Sequence, residues 1–189
     1  MDFFSKKARD QGFRARSVFK IQEINKRYHI INKGDSVLDI GAYPGSWMQA
    51  CVSFKCKYIL GVDIKEISDV PYADFIKADI TKDDIFEKIK QKNNLFDVVI
   101  CDVAPKTSGN MDSYRSYNLS SRAYEIAKVL LRPGGNFLCK IFMGPEFESF
   151  LMQIRKDFLF VKANKPKSSK KRSREIYIVA KTYKVKRRN

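Results

Sequence analysis

The spacing of apolar and polar residues changes period along this chain. Between residues 15 and 28, Ala15, Val18, Phe19, Ile21, Ile24 and Tyr28 recur at close to helical spacing, with lysine and arginine between them. Short apolar runs then predict strands at 36–40, 58–64, 74–78, 97–103, 136–142, 158–163 and 175–182. Helical patterns lie between most of them, at 46–55, 83–92, 118–131 and 145–157. Asn118 or Ser120 is the expected cap of the 118–131 helix, and Pro133-Gly134-Gly135 its stop. Strands alternating with helices predict an α/β doubly wound sandwich, with a mostly parallel sheet and helices on both faces. The last two strands are joined by residues 164–174 without a helix. A connection this short permits an antiparallel return, whereas a parallel pair needs a longer crossover.

A chain of 189 residues is expected to form one domain. The divisions are a basic N-terminal helical segment (1–30), a core (31–183) and a short basic tail (184–189). Lysine and arginine number 37 against 21 acidic residues, a formal net charge of +16. That balance favours a polyanionic partner. The basic residues cluster in KPKSSKKRSR (165–174), in KVKRR (184–188) and near the N-terminus at Lys6, Lys7, Arg9, Arg14 and Arg16. No apolar run approaches the roughly 20 residues of a membrane span. No segment combines a strong apolar face with a basic one at the length a membrane-surface helix needs. Cys51, Cys56, Cys101 and Cys139 form no C-x-x-C pair, and one histidine, His29, cannot build a His-based centre, so no metal is expected. Free cysteines in apolar runs favour a reducing compartment. The cytoplasm is the expectation, with an organelle the alternative if a presequence has been removed.

The string VLDIGAYPGSW (37–47) reads as a strand, a tight turn and a helix. Ligands of open parallel sheets bind beyond the carboxyl ends of the strands. Gly41 and Gly45 allow close backbone approach there. The pattern is not G-x-G-x-x-G, which speaks against a nicotinamide dehydrogenase. Asp63 ends the second strand, where a carboxylate can accept ribose hydroxyls, and Asp79 ends the third, near an adenine position. Taken singly, these features also read as a glycine turn and helix-capping aspartates.

Lys140 interrupts the apolar run FLCKIF (137–142). A buried lysine costs desolvation unless it is paired or neutral, and lysines with lowered pKa serve as bases. Asp102, at the end of VVIC (98–101), can pair with it. A lysine snorkelling from an edge strand is the other reading. Lys20, on an amphipathic helix, and Glu175, opening a strand, carry no signal of their own.

Together the strings RARSVFKIQEI, VVICDVAPKTSG, NFLCKIFMG and KKRSREIYIVA resemble the FtsJ/RrmJ family of RNA ribose 2′-O-methyltransferases, over about residues 7–181. The resemblance implies the Rossmann-like class I fold dependent on S-adenosylmethionine (SAM), with seven strands and the last one antiparallel. It implies a catalytic Lys-Asp-Lys-Glu tetrad at Lys20, Asp102, Lys140 and Glu175. It also implies cofactor contacts at Gly45, Trp47, Asp63, Asp79 and Asp102, beside Gly41 of the turn. Two departures are visible: GAYPGSW where GAAPGGW is frequent, and Lys106 where asparagine is frequent. The implied reaction needs no metal: Lys140 acts as base on a 2′-hydroxyl, Asp102 holds it, Lys20 positions ribose or phosphate, and Glu175 orients the lysines. Within the family, the compact chain looks most like the members that methylate a uridine of large-subunit ribosomal RNA. The implied partner is that RNA or the assembled subunit; a monomer is one expectation for the chain, whose oligomeric state the sequence leaves open. Transfer RNA anticodon loops and messenger RNA caps are the alternative substrates. A non-catalytic RNA-binding protein on the same fold is the rival of a different class.

Overall fold

The computed structural model describes residues 2–105, 111–170 and 172–184. Its elements are α1 (Phe3–Asp10), α2 (Val18–Tyr28), β1 (Ser36–Ile40), α3 (Ser46–Ser53), β2 (Tyr58–Asp63), β3 (Asp74–Lys77), α4 (Ile85–Lys90), β4 (Phe96–Cys101), α5 (Asp112–Leu130), β5 (Leu131–Phe142), α6 (Phe147–Asp157), β6 (Phe158–Asn164) and β7 (Glu175–Tyr183). The strands form one sheet in the order β3-β2-β1-β4-β5-β7-β6. β1 to β5 run parallel, and β7 is antiparallel to both β5 and β6. The expected mostly parallel α/β sheet with a reversed last strand is therefore present. β6 still runs with the parallel set, because β7 enters between β5 and β6.

Strand alternation divides the core into two layers. Leu38, Ile40, Val99, Cys101, Phe137 and Cys139 face the layer that contains α4, α5 and α6. Val37, Val98, Ile100, Leu138, Tyr177 and Val179 face the layer of α2 and α3. Lys140 shares parity with Leu138, and across the ladder it stands opposite Tyr177. Its side chain thus belongs to the α2/α3 face.

Two expectations are corrected. The long helix begins at Asp112, so Asn118 and Ser120 lie within it rather than capping it. Ser120 is buried, and its hydroxyl reaches Ser116 O and Lys140 O, each at 2.7 Å. A hydroxyl satisfied by a preceding-turn carbonyl can sit inside a helix, and that is why the capping signal misleads. The helix ends when Leu131 turns extended, and Pro133-Gly134-Gly135 belong to the irregular start of β5. At the N-terminus, Gly12 at φ +76° separates α1 from α2, so Ala15 lies in the connection. Lys106 and residues 185–189 of the basic tail lie outside the described residues.

Asn25 closes the passage from α2 to β1. Its amide donates to Ile31 O at 3.0 Å and accepts from Ile31 N at 2.8 Å. Asn25→Ala should cost about 1–3 kcal/mol, because both backbone groups lose a partner in a half-buried place. At about 2–4 °C per kcal/mol for a chain of this size, calorimetry should show a clear fall in melting temperature.

Candidate active site and cofactor cleft

Four separate elements bring the expected tetrad together. Asp102 follows the end of β4, Lys140 lies on β5, Glu175 opens β7 and Lys20 projects from α2. Because β7 is antiparallel to β5, its first residue, Glu175, pairs in register with Phe142 at the carboxyl end of β5. Lys140 Nζ lies 2.9 Å from Asp102 Oδ1 and donates to Asp102 O at 2.6 Å. Lys20 Nζ lies 2.5 Å from Glu175 Oε1, a close charge contact off the hydrogen-bond axis. The Lys140 side chain is only 7 % exposed and the other three range from 11 to 16 %. Two lysines and two carboxylates leave this pocket neutral, the condition under which buried charges persist.

Burial alone would push Lys140 toward its neutral form. The Asp102 carboxylate outweighs that, with Glu175 adding to it, and the lysine pKa ends above its ordinary value. The expectation of a lysine depressed by burial is therefore corrected: in the free protein Lys140 is an ammonium. A fifth residue, Tyr177, joins the tetrad. It is fully buried, and its hydroxyl donates to Asp102 Oδ1 at 2.7 Å. Burial first, then the Asp102 and Glu175 anions, lift its phenol well above the usual value, so it remains a donor. Its ring packs 5.9 Å from that of Trp47, and Lys20 Nζ lies 5.8 Å from its centroid. In the sequence Tyr177 was one apolar position of a strand, and only its register opposite Lys140 marks it.

Beside the tetrad lies a cleft of about 250 Å³. Its walls include Gly41, Val62, Ala78, Val103 and Leu119, with Asp63 and Asp79 as its acidic residues. A mostly apolar cleft with a few fixed polar groups suits an aromatic base and its sugar. Tyr43 N donates to Asp63 Oδ2 at 3.0 Å and Lys65 N to Oδ1 at 2.8 Å, which aims that carboxylate. The Thr81 backbone and hydroxyl hold the Asp79 carboxyl below the usual range. Gly41 (φ +78°) sits so close to Val103 that any side chain would meet its backbone at 2.9 Å.

Gly45 and Trp47 do not line this cleft. Gly45, at φ +102°, opens α3 against the Arg14 side chain. Trp47 is buried between α2 and α3 and donates from Nε1 to Ser17 O at 2.9 Å. Arg14, which the sequence offered only as a basic residue, donates to Pro44 O at 3.1 Å, Ser68 O at 2.7 Å and Asp69 O at 2.5 Å. It ties the turn after β1 to the β2–β3 connection. Asp39 is fully buried, and among the described residues neither carboxylate oxygen has a hydrogen-bond partner; burial, then Asp102 and Asp63, raise its pKa well above normal. All four cysteines are free, and no cluster of three or more metal-ligating side chains occurs among the described residues.

Asp102→Asn should drop the Lys140 pKa below the ordinary lysine value of about 10.4, because burial would then act with less opposition. Titration of Lys140 by pH-dependent amine labelling and mass spectrometry checks this. An unchanged labelling midpoint would remove Asp102 as the group that holds the charge.

The chain resembles known proteins over nearly its whole length. It is 39% identical over 186 residues to a protein of Methanosarcina barkeri named ribosomal RNA large subunit methyltransferase E, covering 96% of this chain and 71% of that one. A protein of the same name from Archaeoglobus fulgidus is 37% identical over 184 residues, covering 96% of each. A crystal structure named for a ribosomal RNA methyltransferase of Plasmodium falciparum superposes with a TM-score of 0.81 at 29% identity, covering 90% of this chain and 98% of that one. Residues 13–183 match the family described as FtsJ-like methyltransferase. With the tetrad assembled beside a nucleoside-sized cleft, the chain belongs to the FtsJ-like methyltransferase family and is a methyltransferase.

Proposed function

We propose that this protein methylates the 2′-hydroxyl of a ribose in large-subunit ribosomal RNA, with S-adenosylmethionine as methyl donor. The observation that carries the reading is the convergence of Lys20, Asp102, Lys140 and Glu175 in one largely buried cluster beside the cleft. The names of the relatives support the choice of RNA. The work is expected in the cytoplasm, or in an organelle with its own ribosomes.

The cleft residues fit an adenosine group. Asp63, fixed by two backbone amides, would accept the ribose hydroxyls, and Asp79 would serve the base. When bound, S-adenosylmethionine supplies an electrophilic methyl group whose carbon–sulfur bond breaks as the ribose oxygen bonds to carbon. Lys140, once it has lost its own proton to solvent, takes the hydroxyl proton on Nζ, and Asp102 fixes the direction of that nitrogen through both its carboxylate and its carbonyl. Tyr177 anchors Asp102 from behind. Lys20, restrained by Glu175, presents a cation toward the incoming ribose or phosphate. Much of the acceleration comes from aligning the two reactants in a fixed pocket.

Labelled S-adenosylmethionine offered with large ribosomal subunits, total transfer RNA and capped messenger RNA should leave label on a ribose 2′-oxygen of the first. Label in either of the others would move the substrate. Lys140→Ala should lower transfer by about 100-fold or more, the scale of a lost general base, while cofactor affinity stays within a few fold. Asp63→Ala should weaken cofactor binding roughly ten- to hundredfold, about 1.5–3 kcal/mol for hydrogen bonds to a charged group. The raised Lys140 pKa sets the pH dependence. Only the neutral amine accepts a proton, and its fraction grows with pH up to that pKa. kcat/KM, which reports the free enzyme, should therefore climb from neutral pH without a plateau below about pH 10. A flat profile across this range would remove Lys140 as the base.

A further inference from the structure

One face of α2 does more than carry Lys20. Arg16, just before the helix, and Lys20, Glu23 and Arg27 on it succeed one another at helical spacing, and each reaches the same distant part of the chain. Arg16 Nη2 donates to Ser168 O at 2.6 Å. Lys20 contacts Glu175. Glu23 accepts from Lys167 N at 2.9 Å, Ser168 N at 3.3 Å and Ser168 Oγ at 3.4 Å. Arg27 Nη1 donates to Asn164 Oδ1 at 3.3 Å. The β6–β7 connection is thus held along its length by a helix more than 130 residues away in sequence.

The connection alternates in burial. Pro166 and Ser168 are buried, Ser168 against Glu23 of the helix, while Lys165, Lys167, Lys170, Arg172 and Arg174 are exposed. Arg16 also pairs with Asp2 at 2.5 Å and lies 5.4 Å from the ring of Phe4, which joins α1 to the same assembly. Lys6, Lys7 and Arg9 of α1 are exposed, and Arg16 ties that helix to the loop. The loop leads directly into Glu175, the first residue of β7.

Glu23 is an acid among these cations, and its carboxylate is spent on backbone N–H groups of the loop. We propose that Glu23, with Arg16, is a positioning residue for RNA: it latches the β6–β7 loop onto α2, so that the lysines of the loop and of α1 form one track for a phosphodiester backbone entering the tetrad. This rests on the reading of RNA as substrate. The track gives the electrostatic attraction, and the latch fixes its path relative to Lys20 and Glu175.

The latch makes a prediction opposite in sign to electrostatics alone. Removing an acid from a phosphate-binding surface should tighten RNA binding if charge is all that matters. If Glu23 is a latch, Glu23→Ala should weaken it. The test measures binding of a fluorescein-labelled RNA stem-loop by anisotropy, and methyl transfer to large-subunit RNA at saturating S-adenosylmethionine. For Glu23→Ala, the RNA dissociation constant and the KM for RNA should each rise roughly tenfold, with kcat and cofactor affinity within about twofold, as for loss of a charged hydrogen-bond acceptor. Glu23→Gln, which keeps one acceptor oxygen and removes the charge, should recover part of the loss. Unchanged or tighter RNA binding in Glu23→Ala overturns the latch. If Glu23→Ala also loses cofactor binding or unfolds early, Glu23→Gln decides: binding tighter than wild type overturns the latch, and binding between wild type and Glu23→Ala supports it. A wild-type protein that binds RNA with this Glu23 dependence but transfers no methyl group would sink the proposed reaction and leave the latch standing. A wild-type protein that does not bind RNA sinks both.

Discussion

An ammonium cannot sit in the middle of a sheet unless an anion is fixed beside it, and Lys140 imposes that condition on this fold. Its strand is apolar on both sides, and desolvation works against its charge. Asp102 answers from the neighbouring strand, and Tyr177 holds Asp102 from the reversed one. A lone carboxylate would leave the second pair of the site unbalanced, and Lys20 with Glu175 closes it. The neutral sum lets four charges stay largely out of water, and removing one of them would leave the others exposed to the full cost of burial.

Sheet topology is what makes such a quartet available. In a parallel sheet all carboxyl ends point one way, so residues just past β1, β2 and β4 gather on one edge. A further parallel strand would bring its own carboxyl end there. The reversed β7 brings its beginning instead, and Glu175 arrives beside the end of β5 with Tyr177 two residues behind on the same face. The cofactor cleft uses the other side of the same edge, where Gly41, Asp63 and Val103 come from three different strand ends. Cleft and tetrad meet at Asp102, whose backbone amide donates to Ile40 O just before the turn.

The charged surface is organised by the same means as the interior. A net charge of +16 would give attraction to RNA in any arrangement. Arrangement here comes from polar contacts that join distant segments: Arg14 across the cofactor turn, and Arg16 and Glu23 across the basic loop. These guanidinium and carboxylate groups are matched chiefly to backbone groups, which leaves Lys167 and Lys170 exposed at the loop surface. In this way the N-terminal segment is joined both to the turn beside the cleft and to the basic loop beside the tetrad.

Much of this was legible in the chain. The alternation of strand and helix, the short return before the last strand, the glycine turn at 41–45 and the lysine inside FLCKIF all lie within local strings, where period and composition act directly. The tetrad could be placed because each member sits in a recognisable string of its own. The start of α5 was misread because a buried serine bonded to the preceding turn looks, in sequence, like a cap. Tyr177 and Arg14 left no local mark, since their roles lie in partners far along the chain. The protonation of Lys140 likewise turned on which of two opposing effects is larger, burial or the carboxylate at 2.9 Å. Sequence by itself determined the elements and the chemistry on offer. Tertiary structure decided the pairing of charges and the path across the surface, because both depend on distances between residues that only folding brings together.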